Sequence, residues 1–597
     1  MTETIEATEE RWPLRPWLLA VLGAAAGLAI HRVLGENDFT HQASALRIAI
    51  AALIGSLALL IGFTLERTRW QWALVFSGVC ALVIALVFYW NGGPDDWRSA
   101  ENWRAVCGLL AVAIAAPLFQ TARDAGKRRF DYGAVHDHAW TNVVMWCAAW
   151  AFVAIVFGLA YLLSALFFLI KIALLKDALD QKWFWMTLAG AALGAAIGVF
   201  RERDRIVRLL FTVAVAVLSV LAPVLGAGLV LFLASLPFTG LAPLWDATKS
   251  TTPILLFCTI GALILANAVI GRSDAEEKTF PPLRWGALAL AVSMLPLAMI
   301  AAVSTGTRIA QYGYTPDRLW AVVFVIVALA YGAAYLAAVL RHRLAWAGAA
   351  RRINLGLGFG LCGLALFLAL PLLSFNAIAT RDQVARLESG RISADKFDWA
   401  ALRFDFGDPG KAAAARLAKS GNPAIRTAAM QAIEVENRWD LDEHRRRAEA
   451  QDAFERRLRI LPAKVALPQG LRAKLMDYDV CGTSEPCTLV YQPGKAEAIA
   501  IVRTCDVSKW SESDARTDPV ASIVTVASLR DNCEPQVARL WRNGGKWTAE
   551  IPGLAESTRR ARAEAVSAGL AGGTVEVRAV QRRQIFIDGR PAGAVFE

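Results

Sequence analysis

"TNVVMWCAAWAFVAIVFGLAYLLSALFFLIKIALLKDALDQK", residues 141–182, decides how many times this chain crosses a bilayer. It is apolar almost without a break from Thr141 to Leu175. As one straight helix that stretch would reach about 50 Å, well past a hydrocarbon core of about 30 Å. Something must bend. Lys171, Lys176, Asp177, Asp180 and Lys182 predict that its second half, residues 164–182, lies along the interface as an amphipathic segment. A second crossing is the alternative, and it would reverse the side of everything that follows.

The sequence around this stretch is of the same kind. Hydrophobic residues make up 56% of 597 and the mean hydropathy is +0.41, too apolar for a soluble chain. Runs long enough to span recur at about 17–34, 46–65, 70–90, 104–119, 140–163, 183–200, 208–236, 252–270, 285–303, 318–341 and 353–375. Trp17, Trp70, Trp90, Trp140, Trp183, Trp285 and Trp320 stand at their ends, at headgroup level. The expectation is a mainly α fold: a polytopic helical bundle of about eleven spans over 1–375, then an extramembrane helical segment, 376–473, then a small β-rich domain, 474–597.

Two counts orient this arrangement. Lys and Arg in short loops mark the cytoplasmic side. With eleven spans and the N-terminus inside, the inner segments hold nineteen of them, from Arg11 to Arg352, and the outer loops ten. The odd number of spans then places residue 376 onward outside. The cysteines give the second count. Five lie in or beside apolar runs, while Cys481, Cys487, Cys505 and Cys533 lie in the polar domain, an even set without the C-x-x-C pairs of a zinc site. They are the candidate disulfide residues, and disulfides persist in an oxidising, periplasm-like space. The net charge of +11 divides as +7 before residue 376 and +4 after it, so the membrane-half excess is the orientation signal and nucleic acid is not an expected partner. The acidic start, "MTETIEATEERWPLRP", predicts an uncleaved first span.

Beyond the spans, "GDPG" and "SGNP" punctuate short Ala-rich helices, ending in a charged helix expected from about Asp440 to Leu461. Alternating stretches such as "TLVYQ", "AIAIVR" and "VARLWRNGGKWTAEI", with "NGG" and "DG" turns, predict an antiparallel sheet in an α+β domain.

Chemistry is sparse. Essentially no charge lies near the middle of a span, which disfavours a proton-driven pump. Asn142, Asn267 and Asn354 sit near span ends, and Pro223, Pro296 and Pro371 read as kinks. "GAALGAAIG" spaces Gly190, Gly194 and Gly198 by four for close helix packing within the chain. "HDH", His136 to His138, lacks a third ligand nearby; no metal and no cofactor is expected. Outer loops carry Asp38, Asp95 and Asp96. Many spans with such loops and an outer domain are similar in outline to polytopic glycosyltransferases using lipid-linked donors, whose outer carboxylates serve as base or metal ligand.

Two stretches carry a family resemblance: "RIAQYGYTPDRLW", 308–320, through Tyr312, Gly313, Thr315, Pro316 and Arg318, and the segment 374–417 from "SFNAIATRDQ" to "AAAARL". They resemble a bacterial polytopic membrane family known only as a domain of unknown function (four-one-five-three). The resemblance implies a bacterial inner-membrane protein and brings no activity, ligand or catalytic residue. In "YGYTPDR", Thr315 can cap a helix, Pro316 suits its first turn and Asp317 complements its positive end. Arg308, Tyr312, Tyr314 and Arg318 are the candidate ligand-binding residues, suited to an anionic lipid headgroup, sugar phosphate or other envelope component.

Two functions stay open. One is a non-enzymatic inner-membrane protein for envelope sensing, scaffolding, or lipid or solute passage, whose evident partner is the bilayer. The other is an outer-leaflet transferase using Asp38, Asp95 and Asp96 on a lipid-linked substrate.

Overall fold

A computed structural model describes residues 12–35, 43–93, 97–126, 130–240 and 251–438, and of the remainder 441, 454, 456–462, 465–476, 481, 487–502, 536–550, 583–587 and 590–596. The chain forms two compact units, Met1–Glu434 and Val435–Glu597. The first is helical throughout: α1 Arg15–Leu34, α2 Ala45–Thr64, α3 Trp70–Trp90, α4 Ser99–Ala125, α5 Tyr132–Leu169, α6 Leu174–Asp180, α7 Lys182–Glu202, α8 Asp204–Thr239, α9 Thr251–Ile270, α10 Pro281–Tyr312, α11 Pro316–His342 and α12 Trp346–Ala369. Three short helices follow: α13 Phe375–Glu388, α14 Gly407–Leu417 and α15 Pro423–Glu434.

Among the described residues, ten apolar helical stretches are long enough to cross a membrane, the last running from Pro316 to Ala369. That last stretch is two helices. A 3-10 turn, Arg343–Ala345, opens at Arg343 with φ 50°, and Tyr335 bonds Asn354 at 2.9 Å across the turn. Residues equidistant from a turn meet only in an antiparallel hairpin. Eleven helices of spanning length result among the described residues. In hydrocarbon the helix is favoured because it satisfies every backbone group within itself.

The stretch 141–182 breaks twice, around Lys171 and at Gln181. α5 ends at Leu169, Lys171 takes φ 62°, and the seven-residue α6 leads into α7. Phe157 and Trp185, equally far from Lys171, pack with ring centroids 5.5 Å apart. α5 and α7 are therefore antiparallel neighbours, and α6 is too short to cross. Residues 164–169 extend the helix rather than leaving it. The eleventh helix also departs from expectation: it stops at Ala369, ahead of Pro371, and Ser374 caps a new helix by accepting from Ala377 N at 3.2 Å.

Close packing uses the predicted glycines. A Cβ on Gly190 would strike the backbone of Gly23, one on Gly194 that of Leu19, and one on Gly198 that of Pro16. As one number rises the other falls, so α1 and α7 run antiparallel, backbone against backbone. Gly286 meets Pro223 and Gly332 meets Leu295 in the same way, tying α8, α10 and α11 around fully buried Leu290, Met294, Leu297 and Tyr335.

Helix ends gather on two faces. On the first, Arg15 pairs with Glu66 at 2.6 Å, Arg201 with Glu66, Arg123 donates to Thr64 O, and His138 meets Asp124 at 3.1 Å. Arg351 belongs to the same face. It is 6% exposed and donates to Ile270 O at 2.8 Å, with Asp274 and Glu277 around it, so a buried cation caps the negative end of α9. On the opposite face Asn376 donates to Glu101 at 2.9 Å, Arg98 to Phe404 O at 2.8 Å, and Ser99 binds Asp317. α13 therefore lies at the end of the bundle opposite the start of α1, as an odd number of crossings requires.

In the second unit a five-stranded sheet has the order β1-β2-β3-β4-β5: Leu458–Leu461, Cys487–Tyr491, Glu497–Val502, Gln536–Asn543 and Lys546–Glu550. Three pairings are antiparallel and β1 runs parallel to β2, making the sheet mixed. β1 falls where the charged helix was expected to end. β4 and β5 turn at Gly544 and Gly545, both with positive φ, in the "NGG" motif. β6 Arg583–Ile587 and β7 Arg590–Phe596 form a hairpin, and α16 Gln469–Leu475 buries Leu471 and Leu475 against Leu489 and Leu540.

Candidate functional site

The "YGYTPDR" loop joins α10 to α11 on the face that carries α13. Gly313 ends α10 at φ 76°, and a Cβ there would meet Asp382 Oδ2 at 2.5 Å, Gln383 Nε2 at 2.6 Å and Arg386 Cδ at 2.8 Å. Only glycine fits the conformation and the space together. Thr315 accepts from Arg318 N at 3.4 Å and Pro316 occupies the first turn, the local capping expected from sequence.

α13 then grips the loop. Asp382 accepts from Tyr314 N at 2.8 Å, Gln383 donates to Tyr312 O and Tyr314 O at 2.9 Å each, and Arg386 Nη2 donates to Gln311 O at 2.6 Å. Arg318 donates to Gly313 O at 2.8 Å and lies over the Tyr312 ring, 5.4 Å from its centroid. Guanidinium groups thus complement the carbonyl end of α10. Tyr312 remains 60% exposed and Tyr314 38%.

Arg308, one turn before Tyr312, is half-buried. Arg318 and Arg386 reach the carbonyls of Gly313 and Gln311, so guanidiniums from α11 and α13 meet at the end of α10, one turn beyond Arg308. Arg386 Nε is buried without a hydrogen-bond partner. The two nearby carboxylates are engaged, Asp382 with Tyr314 N and Asp317 with Ser99.

Of the four predicted ligand residues, Arg308 lies in the last turns of α10, Tyr312 at its end, Tyr314 in the loop and Arg318 in the first turn of α11; the loop's contacts add Asp382, Gln383 and Arg386, which sequence reasoning missed. Their spacing on α13, at positions i, i+1 and i+4, was the available signal, since it puts all three on one helix face. Asp38, Asp95 and Asp96 lie outside the described residues. Cys481 and Cys487 form a disulfide between the end of α16 and β2, both 1% exposed, while Cys505 and Cys533 lie outside the described residues. His136 sits among Tyr132, Trp140 and Phe211, and His138 pairs with Asp124, so the two histidines of "HDH" face different neighbours.

A second polar cluster lies among the helices. Asn267 donates to Tyr335 at 2.8 Å, Tyr335 to Asn354 at 2.9 Å, and Asn354 back to Asn267 at 2.7 Å. Each of the three satisfies the others, a structural use of the asparagines noted near span ends. A shallow cavity of about 680 Å³ on the first face is lined by Tyr132, Asp137, Arg272, Asp274, Arg351 and Arg352; Arg272 pairs with Asp137 and Arg351 with Asp274.

No curated protein and no solved structure matches this chain. A family model does, and it runs from α1 to the turn before α14, taking in the "YGYTPDR" loop and the helix that grips it. By that match, over residues 18–405, the chain belongs to the multi-pass membrane family described as Domain of unknown function (DUF4153).

Proposed function

We propose that this protein is a non-enzymatic component of a bacterial inner membrane, with a cytoplasmic N-terminus and residues 376 onward in the periplasm, serving envelope sensing, assembly, or lipid or solute passage. The observation that carries the orientation is the segregation of helix ends. The loops counted as cytoplasmic meet on one face through Arg15, Arg123, Arg201, Arg272 and Arg351, and Lys and Arg resist translocation. The disulfide Cys481–Cys487 supports an oxidising space for the second unit. The "YGYTPDR" loop is the ligand-contacting part of this reading, since it stands at two span ends with exposed tyrosines beside guanidiniums.

The test is a reporter active only in the periplasm, fused after Glu597, together with thiol labelling of intact cells. Periplasmic activity and two protected cysteines are expected. A cytosolic reporter with labelled Cys481 and Cys487 would overturn the orientation. Changing Asp38, Asp95 and Asp96 together to Asn tests the non-enzymatic part, and loss of a deletion-complementing phenotype with the protein still inserted would defeat it.

A further inference from the structure

We infer that Arg308, Arg318 and Arg386 form a phosphate-binding site at the end of the bundle, with Tyr312 and Tyr314 at its rim. The inference deepens the reading of that loop as ligand-contacting and adds a residue, Arg386, from the first helix after the spans.

Three observations carry it. First, Arg318 and Arg386 both bond carbonyls at the end of α10, Gly313 O and Gln311 O, and Arg308 stands one turn before Tyr312, so like charges from three helices are brought to one helix end against their repulsion. Two carboxylates stand beside them, Asp382 on the Tyr314 amide and Asp317 on Ser99, so three cations face two anions and the cluster keeps a positive excess. Secondly, donors remain. Arg386 Nε is buried and without a hydrogen-bond partner, and Arg308 makes no hydrogen bond or ion pair with a carboxylate among the described residues. Capping the end of α10 accounts for Arg318 and Arg386, whose bonds reach Gly313 O and Gln311 O, but not for Arg308. A helix end presents only about half a charge, which one cation balances. Thirdly, the site lies where α10 ends and α11 begins, at the ends of two helices of spanning length.

Phosphate is the chemistry that suits this set. Its oxygens take charge-assisted bonds from several guanidiniums at once, and its charge removes their repulsion. A phospholipid headgroup and a soluble phosphate offer the same group, so the experiment separates them.

Full-length protein in maltoside micelles, which contain no phosphate, is titrated with phosphatidylglycerol, with diacylglycerol or with inorganic phosphate. Adduct retention in native mass spectrometry and the unfolding midpoint are both read. Phosphatidylglycerol is expected to bind and raise the midpoint, and diacylglycerol to do neither. Arg308→Gln is expected to weaken binding about tenfold, the loss of one charge-assisted bond, and Arg308→Lys to restore part of it. Arg386→Gln should weaken it too, but its contact with Gln311 O makes Arg308→Gln the cleaner variant, with gel filtration confirming an intact fold. An Arg308-dependent response to inorganic phosphate alone would support a soluble phosphorylated ligand in the same site. Equal binding of diacylglycerol, or binding untouched by both Arg308→Gln and Arg386→Gln, overturns the inference. Micelles expose both faces, so an error in orientation leaves this result unchanged, and failure to bind leaves the topology test standing.

Discussion

The hydroxyl of Tyr335 donates to Asn354 Oδ1 at 2.9 Å and closes a three-membered ring of side chains with Asn267. Tyr335 is fully buried, so its hydroxyl has no water to fall back on. Tyr335→Phe keeps the ring packing but leaves Asn354 Oδ1 and one Asn267 donor short of a partner. It should cost about 1–3 kcal/mol, seen as a lower unfolding midpoint in micelles. An unchanged midpoint would mean that the asparagines re-pair without the hydroxyl.

Gly313 supplies a sharper test, because its φ of 76° and the closeness of Asp382, Gln383 and Arg386 act together. Gly313→Ala should release α13 from the loop and expose residues 375–388 to limited proteolysis, with a cost of about 1–3 kcal/mol from the positive-φ, extended conformation alone. Gly306→Ala, in the same helix with nothing within 4 Å of an added Cβ, is the matched control and should be silent. Equal proteolysis of the two variants would remove Gly313 from any docking role.

Spans and local caps were legible because their causes are local. A run such as Trp70–Trp90 can only be a helix in lipid, and Thr315 caps within three residues. The "GAALGAAIG" stripe was legible as a packing face too, though not its partner, since Gly23 is 167 positions from Gly190 in the chain and nothing in either stretch names the other. Arg386 was hidden for the same reason: it meets Gln311 across 75 residues, and its own helix reads as an ordinary solvated one. The end of the eleventh span was misplaced because Leu370, Leu372 and Leu373 continue the apolar run, while Pro371 and Ser374 decide the break through backbone chemistry. β1 was misread because charged residues lead into it and its partner, β2, lies some thirty positions further on.

The disulfide between Cys481 and Cys487 closes a small loop with a sequence separation of 6. A chain-entropy estimate for so short a loop is about 2 kcal/mol. Cys481→Ser should therefore make the second unit more susceptible to proteolysis in the full-length protein without disturbing the helical unit. Mass spectrometry after alkylation, with and without reductant, should report Cys481 and Cys487 as a protected pair in protein taken from an oxidising compartment. Alkylation of both without reductant would show that the bridge is absent.

Glu497, at the start of β3, accepts from Arg583 Nη2 and from Arg539 Nε at 2.9 Å each, joining the five-stranded sheet to the β6–β7 hairpin. Arg583 first, and Arg539 with it, hold the Glu497 carboxyl below its ordinary value against the opposing effect of burial. A carboxylate with a lowered folded value contributes its full stability above the ordinary glutamate range, and the contribution is lost as pH falls through the folded value. The partners are largely solvated, so the effect is small. Hydrogen–deuterium exchange of residues 583–596 in the full-length protein, corrected for intrinsic rates, should rise about two- to fivefold on acidification below the glutamate range. Glu497→Gln should show the faster exchange already at neutral pH and respond less to acid. If the variant and the parent exchange alike at neutral pH, the hairpin is held by something other than this carboxylate, and the acid response must come from another group.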